Sequence, residues 1–480
     1  MNSTLTFLAL LLAAVIVLVV PGLVAPFADL YGPVTFFDEA KAVLLCSVLA
    51  ALAGWFVYRN DQGSFLVKLF LAGLLLRVLI GTVIFVFNWQ DFFGGDAWTY
   101  DFFGAAQLSA WGGDKYSANQ VIGFVGKGEG SGWGMVYFVA GIYGFAGRNM
   151  LAVQLVNAVI GAVTAPVIFL CALEVYENTR VARLAAFAVA FYPSLVLWSS
   201  QGLKDAPIVL LLALSILATL KLGKKISAKW LAILVGSLFC LLSMRFYVFY
   251  MMVVAVAGAF LIGMRTMNAQ SFLRQFVVII VMGLALTYMG VTRYANVQLD
   301  AYANMDALQR SRQDAAKSAK SGFSRDVDVS TTGGALTTIP TGLLYLLFAP
   351  FPWQLASLRQ SITLPEMVIW WASFPLLVLG LWFSIKYRLR QISPILVFSV
   401  MLSLAYSVFQ GNVGTAYRQR AQLLVFYFIF VAVGYVLMQE KREDRKRQEL
   451  LKQKPPPSAK LPPRKPVTST VPARSSNSQA

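Results

Sequence analysis

The chain has 480 residues, of which 58% are apolar and only 13% are charged. A soluble chain of this length would form roughly two or three domains, but so apolar a composition argues against a soluble protein. The net charge of +18 is not a nucleic-acid signature, because the basic residues gather in short loops and in the C-terminal tail. We therefore predict no nucleic-acid partner.

The sequence contains no histidine and three cysteines, Cys46, Cys171 and Cys240, which all lie within apolar segments. A disulfide framework is therefore not expected. Without histidine, the commonest general base and metal ligand, proton chemistry must use Asp, Glu, Lys or Tyr. No paired acidic motif indicates a metal site, so the sequence predicts no definite cofactor and leaves only a divalent cation open.

Apolar runs of about 20 residues recur along the chain, and this is the length that crosses a hydrocarbon core about 30 Å thick. They predict an all-α, polytopic transmembrane bundle of about 12 spans. In chain order, these lie near 5–24, 40–58, 66–87, 150–173, 181–199, 206–222, 230–244, 246–264, 275–291, 367–385, 393–409 and 421–438. The shorter apolar stretches 133–147 and 339–352 are predicted to be helices at the outer membrane surface.

The sequence divides into three predicted parts. Residues 1–65 add two N-terminal spans, and residues 66–438 form a transmembrane core with large outer loops at 88–149 and 292–366. Residues 439–480 form a basic tail rich in Pro and Ser. This tail is predicted to be disordered, because it holds too little apolar surface to form a core.

The charge of the loops predicts the orientation of the spans. With a cytoplasmic N-terminus, every inside loop carries Lys or Arg, including the loop at 221–229. The segment after Gln439 also lies inside and is basic. Positive charge in short loops marks the cytoplasmic side. We therefore predict a multi-pass membrane protein with both termini in the cytoplasm. The basic run 441–454 is predicted to contact anionic membrane lipids.

With this orientation, a set of charged residues collects on the outer face. It consists of Asp96, Lys204, Asp205, Arg245, Arg418 and Arg420. Guanidinium groups bind phosphate through paired hydrogen bonds and Lys adds a point charge, while a carboxylate can take a proton from an attacking hydroxyl. Helix capping and snorkelling explain each residue separately. Their common side of the membrane instead predicts a site for an anionic ligand.

Two further charged residues are predicted to have other roles. Asp101 lies in the same loop as Asp96 and is interpreted as structural. Arg77 lies within an apolar run, nearer its middle than its end. An intramembrane arginine normally faces the bundle interior and has a partner. The sequence does not identify that partner, and a structural role is favoured over catalysis.

At these residues the chain resembles the C-type (GT-C) glycosyltransferases, multi-span enzymes that use polyprenyl-phosphate-linked sugars. It is most similar to bacterial members of the protein-mannosyltransferase and aminoarabinose-transferase kind. Their first outer loop reads Asp-Glu-x-x-Tyr, which here becomes Asp96-Ala97-x-x-Tyr100. Ala97 departs from the pattern, because the family has a glutamate there.

Two more motifs carry the resemblance. A proline-containing span is followed by an outer acid, from Pro193 to Asp205, and Arg418-Gln-Arg420 precedes the last span. The similarity covers residues 66–222 well and residues 339–438 more loosely.

The resemblance implies an inverting glycosyltransferase of the cell (inner) membrane that acts in cell-envelope polysaccharide biosynthesis. A sugar would move from a polyprenyl-phosphate donor to a hydroxyl of a glycan, lipid or protein acceptor at the outer face. Asp96 is implied to be the catalytic base, with Asp205 orienting the acceptor or Lys204. The substrate-binding residues would be Tyr100, Lys204, Arg245, Arg418 and Arg420. The Arg-rich loop at 292–338 would close over the lipid donor.

Three alternatives remain open at this point. A polysaccharide polymerase or ligase also uses outer arginines to hold undecaprenyl-pyrophosphate glycans, but it needs no base in an early loop. A lipid or glycan transporter (flippase) would have repeated halves and charged residues near the midplane of the bilayer, whereas this sequence shows no internal repeat. A non-catalytic scaffold of a polysaccharide-export complex is left open, because Ala97 departs from the family pattern.

Overall fold

A computed structural model describes residues 36–60, 62–125, 133–262, 269–292, 298, 304–318, 321–323, 327–355 and 357–453. Within these ranges the chain is helical, and its only β-structure is one isolated bridge between Gly322 and Asn412. The prediction of an all-α bundle is therefore confirmed. The span predicted at 5–24 lies outside the described residues.

The helices are numbered here in chain order. They are α1 (Phe36–Tyr58), α2 (Gly63–Val86), α3 (Gln90–Phe93), α4 (Asp96–Trp111), α5 (Lys115–Val125), α6 (Trp133–Ala146), α7 (Met150–Tyr176), α8 (Thr179–Phe191), α9 (Pro193–Ser199), α10 (Asp205–Lys224), α11 (Ala228–Met244), α12 (Phe246–Ile262), α13 (Ala269–Tyr288), α14 (Met305–Ser318), α15 (Thr332–Phe348), α16 (Leu358–Phe409), α17 (Val413–Gln419) and α18 (Ala421–Gln453).

Six of the described helices are long and apolar enough to cross a membrane by length and composition, and the bent pair α8 and α9 makes a seventh candidate. Shorter apolar helices, including α6, α11, α12 and α15, accompany them. The chain is thus a multi-pass membrane protein. The predicted spans at 367–385 and 393–409 both lie within α16, on either side of a kink at Arg388.

The segment predicted as one span at 181–199 is broken. The helices α8 and α9 meet at an angle of 55°. Pro193 has no backbone N–H, so it cannot continue α8, but it is well suited to the first position of α9. The break brings the end of α9 towards the loop that carries Lys204.

Part of the predicted disordered tail is helical. The last helix continues to Gln453, so residues 439–453 are an extension of α18 rather than irregular chain. This stretch, KREDRKRQELLKQ with its flanks, consists almost entirely of strong helix formers with charges of both signs one turn apart. The Pro-rich remainder, where disorder was also predicted, lies outside the described residues.

Asparagine side chains start several of these helices. Asn149 accepts a hydrogen bond from the backbone N–H of Leu151 at 2.9 Å at the start of α7. Asn178 does the same before α8, and Asn412 accepts from the N–H of Gly414 at 2.8 Å before α17. Each cap satisfies a backbone donor that has no partner within its own helix.

The helix α7 is the centre of the N-terminal half of the bundle. It packs against α1, α2, α8 and α10 and is buried almost throughout. A helix that is apolar on all sides is stable in such a position. Its Asn157 donates hydrogen bonds to the backbone carbonyls of Gln201 and Leu203 at 2.7 and 2.8 Å. The chain just before Lys204 is therefore fixed to α7.

Arg77 on α2 has the buried partners that an intramembrane arginine requires. Its Nε donates to the Ser199 hydroxyl at 2.8 Å, and its Nη1 donates to the carbonyl of Ala190 at 2.8 Å. Gly161 permits this contact, because a Cβ there would lie 2.3 Å from the Cβ of Ser199. Arg77 therefore joins the end of α8 to α9 across the break, as the structural interpretation predicted.

We expect Arg77→Met to lower the melting temperature of the protein substantially. The carbonyls of Val189 and Ala190 would lose their donor inside the bundle, and each unsatisfied group costs about 1–3 kcal/mol. The matched control is Arg183→Met, which removes an exposed arginine bound to Gln62. Equal melting temperatures for both variants in detergent would show that Arg77 does not hold the break.

Candidate active site

Three segments that are distant in sequence meet at one guanidinium group. The Nη1 of Arg418, on α17, lies 2.6 Å from an oxygen of Asp96 at the start of α4. The Nε and Nη2 of the same side chain lie 2.7 and 2.6 Å from Oδ2 of Asp205 at the start of α10. The predicted gathering of Asp96, Asp205 and Arg418 is thus present in the structure.

Local backbone features place the two carboxylates. Asp96 and Asp205 are each the first residue of a helix, where the macrodipole favours negative charge. Gly94 precedes Asp96 with a φ of 148°, a conformation that favours glycine. The turn at Gly94 and Gly95 therefore lets α4 begin at Asp96, beside the end of α3.

The two carboxylates differ in their access to solvent. The Asp96 side chain is 54% exposed, whereas the Asp205 side chain is 2% exposed. Asp96 can therefore meet an incoming hydroxyl, and Asp205 cannot without a rearrangement. Asp205 contacts Arg418 and, at 3.9 Å, Arg245. The arginines are thus the closest partners of Asp205, and its predicted role of orienting the acceptor or Lys204 stays a prediction.

Lys204 and Arg245 add positive charge beside this pair. The Lys204 ammonium lies 5.9 Å from the centre of the Tyr100 ring. Arg245 is buried, and its Nη1 makes no hydrogen bond with the part of the chain that the structure describes. Burial, together with the neighbouring charge of Arg245, lowers the pKa of Lys204 to about 7. Both cations could be stabilised by an anion.

A cavity of about 620 Å³ opens at this site. Its lining includes Asp96 and four cationic side chains, Lys204, Arg245, Arg359 and Arg418. Apolar residues of α3 and α16 line it as well, namely Phe92, Phe93, Leu358 and Ile362. One cavity therefore offers a carboxylate, a cationic region and an apolar region.

The segment before α17 is paired with the long outer loop. The N–H of Phe323 donates to the carbonyl of Gly411 at 2.8 Å, and the N–H of Val413 donates to the carbonyl of Ser321 at 3.1 Å. Ser321 also lines the cavity. This part of the loop 292–338 therefore contacts the site, whereas its Arg293 and Arg325 lie outside the described residues.

Two of the predicted substrate-binding residues do not line the cavity. Tyr100 is buried beneath Lys204. Arg420 is 1% exposed, and its Nη1 donates to the carbonyls of Leu347 and Ala349 at 2.9 and 3.1 Å. Arg420 therefore satisfies the C-terminal carbonyls of α15 and is not placed to bind a phosphate in this cavity.

The acidic residue Asp101 has partners outside this site. Asp101 accepts hydrogen bonds from the Tyr143 hydroxyl and from Arg148, both at 2.6 Å, which fits its structural interpretation. Among the residues that the structure describes, no three Asp, Glu, His or Cys side chains form a group that could hold a metal ion.

Sequence reasoning missed two residues near the site. Arg359, in the first turn of α16, lines the cavity and donates to the backbone carbonyl of Asp91 at 3.1 Å. The argument that selected Arg245, a cation at an outer helix end, applies to it equally. Glu366 was missed because it lies one residue before the predicted span at 367–385. It is buried and accepts a hydrogen bond from Tyr417.

Part of the chain matches a known protein family. Residues 133–290 match the family described as dolichyl-phosphate-mannose-protein mannosyltransferase. This match supports a polytopic membrane glycosyltransferase of the GT-C type. The resemblance inferred from the sequence motifs is thereby confirmed. The matched segment, about a third of the chain, contains Lys204, Asp205 and Arg245 but neither Asp96 nor Arg418. No curated protein and no solved structure matches the chain.

We expect anion binding in the cavity to depend on pH through Lys204. Because the pKa of Lys204 in the protein without a bound anion is about 7, its ammonium is charged at pH 6 and loses its proton above pH 7. Binding of a phosphate then requires uptake of a proton, so affinity falls by up to about tenfold per pH unit.

The measurement is the dissociation constant of a polyprenyl-phosphate sugar, whose phosphodiester carries one negative charge throughout, for the purified full chain between pH 6 and pH 9. Lys204→Arg, which stays charged throughout this range, should abolish the dependence. A wild-type affinity that does not change with pH would exclude Lys204 as the phosphate ligand.

Proposed function

We propose that the protein transfers a sugar from a polyprenyl-phosphate donor to an acceptor hydroxyl at the outer face of the cell (inner) membrane. The observation that carries this proposal is the half-exposed Asp96 in the same cavity as Lys204, Arg245 and Arg418. A base and a set of cations are what an acceptor hydroxyl and a departing phosphate need. The family match supports the same class of reaction.

In the proposed step, Asp96 takes the proton of the acceptor hydroxyl as its oxygen attacks the anomeric carbon. The bond between that carbon and the phosphate oxygen breaks, and its electron pair stays on the phosphate. Attack opposite the leaving group inverts the anomeric configuration, through a state that resembles an oxocarbenium ion. The products are a glycoside, a protonated Asp96 and a polyprenyl phosphate with one more negative charge.

The cations would divide into two roles. Arg245 and Lys204 would stabilise the charge that grows on the leaving phosphate, because neither is closely paired with a carboxylate in the ligand-free site. Arg418 is held by both Asp96 and Asp205. A phosphate that draws Arg418 away from Asp96 would free the base as the donor binds.

The apolar part of the cavity supports a lipid-linked donor. Phe92, Phe93, Leu358 and Ile362 provide an apolar lining next to the cationic residues. This lining would let a prenyl chain pass from the bilayer into the cavity without exposure to water, which would cost about 0.8 kcal/mol for each CH₂ group. The acceptor would be a glycan, lipid or protein hydroxyl that reaches Asp96 from the outer side, with both chain termini in the cytoplasm.

We expect Asp96→Asn to lower kcat by at least about 100-fold, which is a typical loss when a general base is removed. The measurement is sugar transfer by purified protein supplied with a panel of polyprenyl-phosphate sugars. Asp114→Asn is the control, because Asp114 is an outer-loop acid bound to Ser117 and does not line the cavity.

The alternatives give different results in this assay. Transfer that is unaffected by Asp96→Asn, and that requires a pyrophosphate-linked glycan, would favour a polymerase or ligase. Failure of the wild type to use any donor would contradict the proposal and favour a flippase or a scaffold.

A further inference from the structure

A buried carboxylate with no part in the proposed reaction lies next to the site. Glu366 on α16 is 4% exposed. The hydroxyl of Tyr417 donates to its Oε2 at 2.8 Å, and its Oε1 makes no hydrogen bond with a described residue. A buried carboxyl group is costly unless it makes hydrogen bonds or ion pairs. A hydrophobic residue at this position would avoid that cost. We therefore expect the carboxylate to hold another part of the structure in place.

What Glu366 holds is α17. This helix has seven residues, Val413–Gln419, and carries Tyr417 directly before Arg418. So short a helix has little stability of its own. Its position therefore depends on side chains that anchor it to the bundle. Tyr417 anchors it through Glu366, and Arg420, one residue after its end, anchors it to the carbonyls at the end of α15.

Glu366 also adjoins the break between α8 and α9. Tyr192 and Ser194, which flank Pro193, lie near its carboxyl group, although neither hydroxyl makes a hydrogen bond with it. The helix α9 that begins there carries Trp198, whose ring lies 5.8 Å from the Arg418 guanidinium and 6.4 Å from the Tyr417 ring. Glu366 thus lies beside both α17, which carries Arg418, and the break at which α9 begins.

We propose that Glu366 and Tyr417 are positioning residues that set α17 so that Arg418 reaches Asp96 and Asp205 together. This inference rests on the proposed function for its catalytic consequence. Arg418 contacts two carboxylates on different helices at 2.6 Å each, a geometry with little tolerance. A misplacement of about 1 Å at such a site can lower the rate about 100-fold.

The hydrogen bond can be removed from either side. Tyr417→Phe keeps the ring between Trp198 and Arg420 and deletes only the hydroxyl. Glu366→Ala deletes the acceptor, whereas Glu366→Gln keeps an acceptor oxygen. The matched control is Tyr176→Phe, since the Tyr176 hydroxyl is also buried and also bonds to α16, at Ser384, 2.5 Å away. Tyr176 ends the 27-residue helix α7, about 40 Å along its axis from the end near the site.

We expect Tyr417→Phe and Glu366→Ala each to lower kcat about tenfold or more and to raise the donor KM, because the displaced Arg418 is also a proposed ligand of the donor phosphate. The double variant should lose no more than the worse single variant, because both changes break one bond. Glu366→Gln should recover most of the activity, and Tyr176→Phe should keep wild-type kcat. Losses that multiply in the double variant, or kcat per folded protein equal to the Tyr176→Phe control, would overturn the inference.

A second measurement separates this inference from the proposed function. Cryo-electron microscopy of the wild type and of Tyr417→Phe, each bound to an antibody fragment for alignment, would locate the Arg418 guanidinium. We expect it to leave Asp205 in the variant. An unchanged Arg418 would overturn the inference whether or not the protein transfers sugar. A displaced Arg418 in a protein whose wild type transfers nothing would support the positioning and contradict the transfer reaction.

Discussion

The candidate site depends on one guanidinium group that binds two carboxylates. Arg418 joins Asp96 and Asp205, which begin two different helices, to the short helix α17. Two carboxylates near each other in a partly desolvated site would repel one another. The arginine between them removes that repulsion and, because its planar group is rigid, fixes their relative orientation. The starts of α4 and α10 can therefore meet only where α17 also lies.

The charged residues around Arg418 differ in their burial and in their partners. Asp205 is buried against arginine and serves the arrangement of the site, while Asp96 is open to solvent and able to react. Lys204 and Arg245 lie beside the bridge, and Arg245 is 3.9 Å from the Asp205 carboxylate that Arg418 binds more closely. Burial disfavours the charged form of the Lys204 side chain and thereby lowers its pKa. An anionic ligand would relieve this cost, so the site is suited to a substrate whose negative charge grows during the reaction.

Much of this arrangement could be predicted from the sequence. The length of the apolar runs predicted the long helices. The charge of the loops predicted that Asp96, Lys204, Arg245 and Arg418 lie on the same face. Contacts between segments that are distant in sequence could not be predicted in this way. The role of Arg420 depends on the carbonyls that end α15, and that of Arg77 depends on a break at Pro193. Neither set of carbonyls can be paired with its arginine from hydropathy or charge.

Four arginines that are wholly or largely buried in the described part of the chain belong to two kinds, and the distinction lies in what each guanidinium faces. Arg77 and Arg420 donate to backbone carbonyls at the ends of α8 and α15. Those carbonyls have no partner within their own helices, and inside a membrane bundle water does not readily replace one. Arg245 and Arg418 face carboxylates and the cavity instead. In a membrane enzyme with broken helices, an arginine near a site is thus evidence of ligand binding only after the neighbouring helix ends have been examined. By this criterion Arg245 and Arg418, together with Lys204, are the cations that we propose as ligands for a phosphate, while Arg77 and Arg420 bind the ends of α8 and α15.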